Sequence, residues 1–333
     1  MTKKVLGWAI ETYKQVLTPP LARKENLNKA LVAIPRDTHR CSKKKWQCFI
    51  GLLRITVPAI AGAHDMFIRI QRALRVSTVQ RVSITSAFHD ELNLWRHLIV
   101  SLAENPTHLW EIRPDKPEWI GATDKSLEAM GGVCFIPTRE WNFWRLAMDS
   151  YTKHHLLTDD NPGRYLTIND IELVAYVAHL HFFALKIPPP LDHIHTPVDN
   201  MAAEGWAQRG IAIWSTSVEK LLREAVWITR QMHIHAFVKR ITRIDKKEED
   251  ATSRLIHLTT HNLLEHFQST SPQPSPWRLC LLLCTVRRWL HTILRMHLSP
   301  KDSPIPRPTR TPHPGNNGTD SADVSKYHPN STA

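Results

Sequence analysis

The stretch WIGATDKSLEAMGGVCFIPTREWNFWRLAM, residues 119–148, reads as three successive strands. Trp119–Thr123 and Gly132–Ile136 are short apolar runs separated by a polar, glycine-ended turn, the pattern of an antiparallel pair. Trp141–Met148 adds a third strand. Asp124 closes the first run, and an acid at the end of a buried strand is costly unless it is paired or bound to a cation.

Working downstream, Ile171–Leu185 reads as a helix stopped by Pro188-Pro189-Pro190, Leu191–Pro197 as a strand, Ser217–Gln231 as a helix and His233–Ile244 as another strand. A last helix begins around Asp250. Strands alternating with helices after an initial meander predict an α/β fold, a mixed sheet with flanking helices. Upstream, Val5–Ile10 and Tyr13–Leu17 form a strand pair stopped by Pro19-Pro20, and the rest is mostly helical. Ser42 is placed to cap a helix that repeats Trp46, Phe49, Ile50 and Leu53 on one face. Ala63–Leu74 is a second helix, and Phe88, Leu92, Trp95, Ile99 and Leu102 mark a third. A composition break at Asn105-Pro106 and Arg113–Pro117 divides residues 1–104 from 105–270. Pro272, Pro274 and Pro276 suggest a linker, and Leu279, Leu283, Val286, Leu290 and Ile293 suggest one apolar helix face within residues 271–298. On that helix Cys280 and Cys284 would be core neighbours one turn apart. Residues 299–333, rich in proline, serine, threonine and asparagine, are expected to be disordered.

The chain of 333 residues carries a formal charge of +12, which favours a polyanionic partner, with nucleic acid first among the candidates. Lys43, Lys44, Lys45, Arg54, Arg69, Arg72, Arg75 and Arg81 fall on the outer faces of the amino-terminal helices. They would be solvated charge by default, or a grip on a phosphate backbone. The five cysteines form no even framework and read as reduced intracellular thiols. Neither a signal peptide nor an apolar run of about 18 residues is apparent, so an intracellular location without membrane spanning is expected.

The candidate chemistry rests on four acids, Asp124, Glu172, Asp199 and Asp250. Each has a plainer reading: Asp124 in a turn, Glu172 on a helix surface, Asp199 as the cap of a helix over 200–208, and Asp250 at a helix start favoured by the dipole. Gathered by a fold, they would form an oxygen-only site for Mg²⁺ or Mn²⁺. Paired ions about 3.5–4 Å apart clamp the attacking and leaving oxygens of a phosphodiester. Histidines offer a competing Zn²⁺ reading at His179/His181, His193/His195 and His233/His235, although the first pair falls on a helix, where that spacing points apart. Glycine-rich phosphate loops, G-x-S-x-G elbows and paired C-x-x-C motifs are absent.

The acids also carry a resemblance. Gly121-Ala122-Thr123-Asp124-Lys125-Ser126, Ile168-Asn169-Asp170-Ile171-Glu172-Leu173, Val198-Asp199-Asn200 and Glu248-Glu249-Asp250-Ala251-Thr252-Ser253-Arg254 resemble, in order, the four acidic motifs of retroelement ribonuclease H domains. Upstream, Leu6-Gly7-Trp8-Ala9-Ile10-Glu11-Thr12, Ile34-Pro35-Arg36, Lys45-Trp46-Gln47 and Asp90-Glu91-Leu92 with Trp95-Arg96 are similar to the palm end, thumb and connection of reverse transcriptases, those of DIRS-like retrotransposons above all. The resemblance implies an RNase H-like mixed sheet preceded by a mostly helical thumb and connection remnant. It implies hydrolysis of the RNA strand of RNA–DNA hybrids, with Asp124, Glu172, Asp199 and Asp250 holding Mg²⁺ or Mn²⁺. The other reading is a module that binds hybrid or other nucleic acid without turnover. No Tyr-x-Asp-Asp turn occurs, so DNA synthesis is not expected. Two positions depart from the family pattern: Lys125, where a small residue is usual, and Glu249, where alanine is usual. Lys125 is expected to compete with the metal for Asp124, and Glu249 to draw ions away from Asp250.

Overall fold

The computed structural model describes residues 2–5, 8–34, 38–77, 80–112, 119–136, 140–161, 164, 166–186, 193–198, 205, 216–240 and 247–296. The amino-terminal block opens with β1 (Thr2–Val5), β2 (Trp8–Glu11) and β3 (Val16–Thr18), an antiparallel meander rather than a single pair, with Tyr13 exposed in the turn before β3. The chain continues through α1 (Leu21–Val32), β4 (Arg40–Ser42), α2 (Lys43–Thr56), α3 (His64–Val76), β5 (Arg81–Ser83) and α4 (Ser86–Glu104). Next, β6 (Thr107–His108) pairs with β3, and α5 (Leu109–Ile112) follows directly.

Local chemistry explains these helices. Ser42 accepts a hydrogen bond from the Lys45 amide at 3.3 Å, and Thr85 accepts one from the Phe88 amide at 3.4 Å, each supplying a partner for an end that has none within the helix. The stripes Trp46, Phe49, Ile50, Leu53 on α2 and Leu92, Trp95, Ile99, Leu102 on α4 are buried in one core.

The carboxyl-terminal block carries a six-stranded mixed sheet. Its strands are β7 (Trp119–Lys125), β8 (Ala129–Ile136), β9 (Glu140–Ala147), β10 (His193–Val198), β11 (His235–Arg240) and β12 (Arg278–Leu279), in the spatial order β11-β10-β7-β8-β9-β12. The meander β7-β8-β9 is antiparallel, while β10 runs parallel to β7 and β11 parallel to β10. The helices are α6 (Ser150–His155), α7 (Ile168–Lys186), α8 (Thr216–Met232), α9 (Lys247–Arg254), α10 (Thr260–Thr270) and α11 (Cys284–Arg295). α7 packs on one sheet face, over Met130, Cys134, Trp144 and Leu146. α9 and α10 cover the other face, over Val133 and Phe143. By length and composition α7 would suit a membrane, but 72% of its apolar window is buried inside the protein.

α8 joins the blocks, because Val226 lies in the amino-terminal core whereas Val218, Leu221, Leu222 and Ala225 lie in the α7 core. The carboxyl-terminal segment differs from its sequence reading. Residues 271–277, expected as a linker, carry Trp277, which is buried against Phe267 and Trp141 at ring separations of 4.7 and 5.1 Å. β12 then adds to the edge of β9, so Leu279 is in a strand and the helix starts only at Cys284. Cys280 is buried and Cys284 exposed, because no helical turn connects them. Val286, Leu290 and Ile293 form the buried face of α11, which packs within its own block. Apart from Gly205, the expected helix over 200–208 lies outside the described residues, as does the tail 299–333.

Candidate carboxylate site

Asp124 is the second-last residue of β7 and has no exposed surface. Its Oδ2 accepts a hydrogen bond of 2.5 Å from Ser253 Oγ on α9, and its Oδ1 has no hydrogen-bond partner among the described residues. α9 comes this close because Gly131 stands opposite Asp124 in the β7–β8 register, where a Cβ would lie 2.2 Å from Thr252 Oγ1. Ser126 secures the same docking by donating from Oγ to the Ser253 carbonyl at 2.8 Å.

Glu172 approaches from the other side. Thr167 and Asp170 start α7 with a reciprocal cap, the Asp170 amide donating to Thr167 Oγ1 at 3.2 Å and the Thr167 amide to Asp170 Oδ2 at 2.7 Å. This sets Glu172 facing the sheet, fully buried, with its Oε2 3.2 Å from Lys125 Nζ. Consecutive strand residues point to opposite faces. Asp124 therefore turns to α9 while Lys125 turns to α7, so the ammonium expected against Asp124 balances Glu172 instead.

The remaining acids are placed less centrally. Asp250 is on α9, 34% exposed, with Oδ2 3.3 Å from Arg254 Nε one turn on, while its neighbour Glu249 is buried. Asp199 lies outside the described residues. Among the described residues, Asp124, Glu172 and Asp250 do not come within 4.8 Å of one another as a set.

Of the histidine pairs, His179 and His181 do point apart. His179 is buried under Gly121, where a Cβ would lie 2.2 Å from its Nε2, and its Nδ1 accepts the Trp144 Nε1 hydrogen at 2.8 Å. Burial pushes its pKa down to about 3, so the ring is neutral. His181 meets Glu224 at 3.2 Å. His233 lies before β11 rather than on it, with φ of 52°, so it does not share a strand face with His235. The side chains of His193, His195 and His235 lie outside the described residues.

Lys44, Lys45, Arg54, Arg72, Arg75 and Arg81 are exposed and Lys43 half-buried. Arg69 departs from its expected outer-face position. Its Nη1 lies 3.4 Å from Glu91 Oε2 and 3.1 Å from Glu219 Oε2, with only 13% of its side chain exposed. Arg223 Nε also reaches Glu91 Oε2 at 3.1 Å, so α8 covers this part of α3 and turns the arginine inward. The helical stripe of α3 gives no signal of that later element.

These elements define an α/β protein with a six-stranded mixed sheet flanked by helices, behind a mostly helical amino-terminal block. The chain is similar to solved structures of the foamy viral protease-reverse transcriptase. Against the complex with RNA/DNA hybrid the identity is 13%, the TM-score 0.28, and the match covers 72% of this chain and 29% of that one. For the complex with dsDNA these values are 12%, 0.28, 73% and 45%. For the dRH form with ds DNA they are 12%, 0.27, 72% and 38%. The chain thus spans less than half the length of these proteins. No protein-family profile matches the chain, and no curated protein matches it.

Proposed function

We propose that this chain binds nucleic acid, RNA–DNA hybrid first, and that Lys125 holds its RNase H-type cleavage of the RNA strand well below what the carboxylates would otherwise support. The observation that carries this reading is the 3.2 Å contact between Lys125 Nζ and the buried Glu172 Oε2. Asp124 suits a divalent ion, since one oxygen of a fully buried carboxylate has no hydrogen-bond partner among the described residues. Glu172 suits one poorly while an ammonium already balances its charge. Asp124, with Asp199 and Asp250, would be the residues to hold Mg²⁺ or Mn²⁺, which supplies Lewis-acid stabilisation of phosphodiester oxygens.

Binding has its own support. Lys43, Lys44 and Lys45 fill the first turn of α2 without any acid, a placement that opposes the helix dipole. Helix stability does not explain them, whereas a phosphate backbone would. The retroelement origin, DIRS-like in its motifs, belongs to the same proposal.

The test is full-length chain with labelled RNA–DNA hybrid in Mg²⁺ or Mn²⁺, reading binding by anisotropy and cleavage on gels. The parent should bind and cut slowly. Lys125→Ala should raise metal-dependent cutting by roughly threefold to a hundredfold, given how strongly ion-pair energies depend on burial. Asp124→Asn in that background should abolish it. If Lys125→Ala binds hybrid but leaves cleavage unchanged, Lys125 is not what limits the site. A chain that binds no nucleic acid at low salt removes the reading altogether.

A further inference from the structure

A separate donor cluster lies where α5 meets the carboxyl end of α8. His108, Glu111 and His233 each offer a ligand atom within 4.8 Å of the other two, the one such grouping of three among the described residues. Glu111 is 2% exposed, and its Oε1 accepts the His108 backbone N–H at 2.9 Å and the His233 Nδ1–H at 3.0 Å. Its Oε2 accepts from Arg230 Nη1 at 3.1 Å.

The donors are held from outside the cluster. The His108 ring lies flat on Trp110, with centroids 3.9 Å apart and planes at 15°, and meets the His233 ring edge-on at 5.6 Å. His233 adopts φ of 52°, a left-handed backbone that is unfavourable for a residue with a side chain. The turn is closed by the Ile234 amide, which donates to the Thr229 carbonyl at 3.0 Å. Its effect is to aim the ring back at Glu111 instead of along β11.

We infer that His108, Glu111 and His233 form a site for a late first-row divalent cation, with Zn²⁺ as its occupant and water in the fourth position. Imidazole nitrogens favour such ions over Mg²⁺, and three protein ligands of the His₂-carboxylate type plus an open position are a zinc arrangement. Tetrahedral donors about 2.0–2.1 Å from the ion sit about 3.3 Å apart, so the ion would replace the His233 proton after that contact opens by a few tenths of an ångström. Arg230 on Oε2 fixes the carboxylate so that Oε1, which also accepts the His108 N–H, faces the His233 ring across which the metal would bind. The ion would tie β6 and α5 to the end of α8, and metal binding would add to folding stability there.

The experiment uses full-length chain stripped with chelator, titrated with Zn²⁺ and, for its visible spectrum, Co²⁺. Expected are one tightly bound ion per chain, a tetrahedral Co²⁺ spectrum, and a Tm that rises with Zn²⁺. His108→Ala should weaken binding by at least about tenfold, the loss expected even for outer-shell partners. His233→Gly is the sharper variant, because glycine keeps the left-handed backbone while removing the ligand, so it should fold and still lose the metal. His181→Ala serves as the histidine control and should bind as the parent does. No Zn²⁺ binding by the folded parent, or undiminished binding by folded His233→Gly, would overturn the site and leave a metal-free hydrogen-bond network.

Discussion

Lys125 Nζ lies 3.2 Å from Glu172 Oε2, with the lysine side chain 11% exposed and the glutamate fully enclosed. Removing one partner of such a pair takes a countercharge away from the buried group, a loss worth about 3–5 kcal/mol when the site is wholly buried and somewhat less here. Lys125→Met should therefore lower stability by roughly 2–4 kcal/mol without divalent ions. If Glu172 then helps to hold an ion, Mg²⁺ or Mn²⁺ should restore part of the loss. Adding Glu172→Gln should recover stability and abolish the metal response. Urea unfolding with and without metal decides the matter, and a metal-insensitive Lys125→Met would separate this pair from any cation site.

The pH dependence of stability should carry the mark of His179. Burial lowers its pKa from 6.5 to about 3, so between those values the unfolded chain binds a proton that the folded chain refuses. Its contribution is fully present above the unfolded pKa and is lost as pH falls from about 6.5 toward 3, by up to about 1.4 kcal/mol per pH unit. His179→Gln retains an acceptor for the Trp144 indole N–H while removing the titration. Its unfolding free energy should fall less steeply over that window than the parent's. Parallel slopes would mean that another group dominates acid lability.

A second acid response involves Asp149, which caps α6 by accepting the Thr152 amide at 2.8 Å and lies 2.5 Å from Arg295 of α11. Burial raises its pKa, but the hydrogen bonds from Thr152 and Arg295 outweigh burial and hold the value at about 2. For a depressed carboxylate the stabilisation is present above the unfolded pKa and is lost as pH falls from about 4 toward 2. Asp149→Asn should remove that step and loosen α11, read as faster hydrogen exchange of residues 284–295. Unchanged exchange would show that Val286, Leu290 and Ile293 hold the helix without the ion pair.

Much of this architecture was legible because its signals are local. The run 119–148 folds as three antiparallel strands since its apolar segments are broken by a short turn at 126–128, although Gly131 and Gly132, read as the end of that turn, lie inside β8; α2 starts where Ser42 can cap it. What escaped the sequence depends on elements that meet only in space. Period-two alternation in β7 was readable, yet the partner on each face was not, so Lys125 was set against Asp124 rather than Glu172. Arg69 read as an outward charge until α8 covered it. His233 looked like a strand residue because nothing in its neighbourhood announces a left-handed backbone. Trp277 showed no helix or strand period that would have pulled the proline-rich segment into the core.

The last prediction separates a phosphate grip from a solvated surface. Lys44, Lys45, Arg54 and Arg72 are exposed on α2 and α3, whereas Arg69 is engaged with Glu91 and Glu219. If the exposed four contact phosphates, replacing them by alanine should reduce the slope of log affinity against log salt by up to about 0.9 per lost contact on duplex. Arg69→Ala should behave differently. It leaves Glu91 with Arg223 as its ion-pair partner, so it should destabilise the α3–α4–α8 junction, yet in folded protein it should leave the salt slope alone. Measuring hybrid affinity across a salt series, with circular dichroism to confirm folding, distinguishes the two. Equal slopes for the parent and the four-residue variant would show that these charges only solvate the surface. A slope reduced by Arg69→Ala instead would move the nucleic-acid contact to the junction beneath α8.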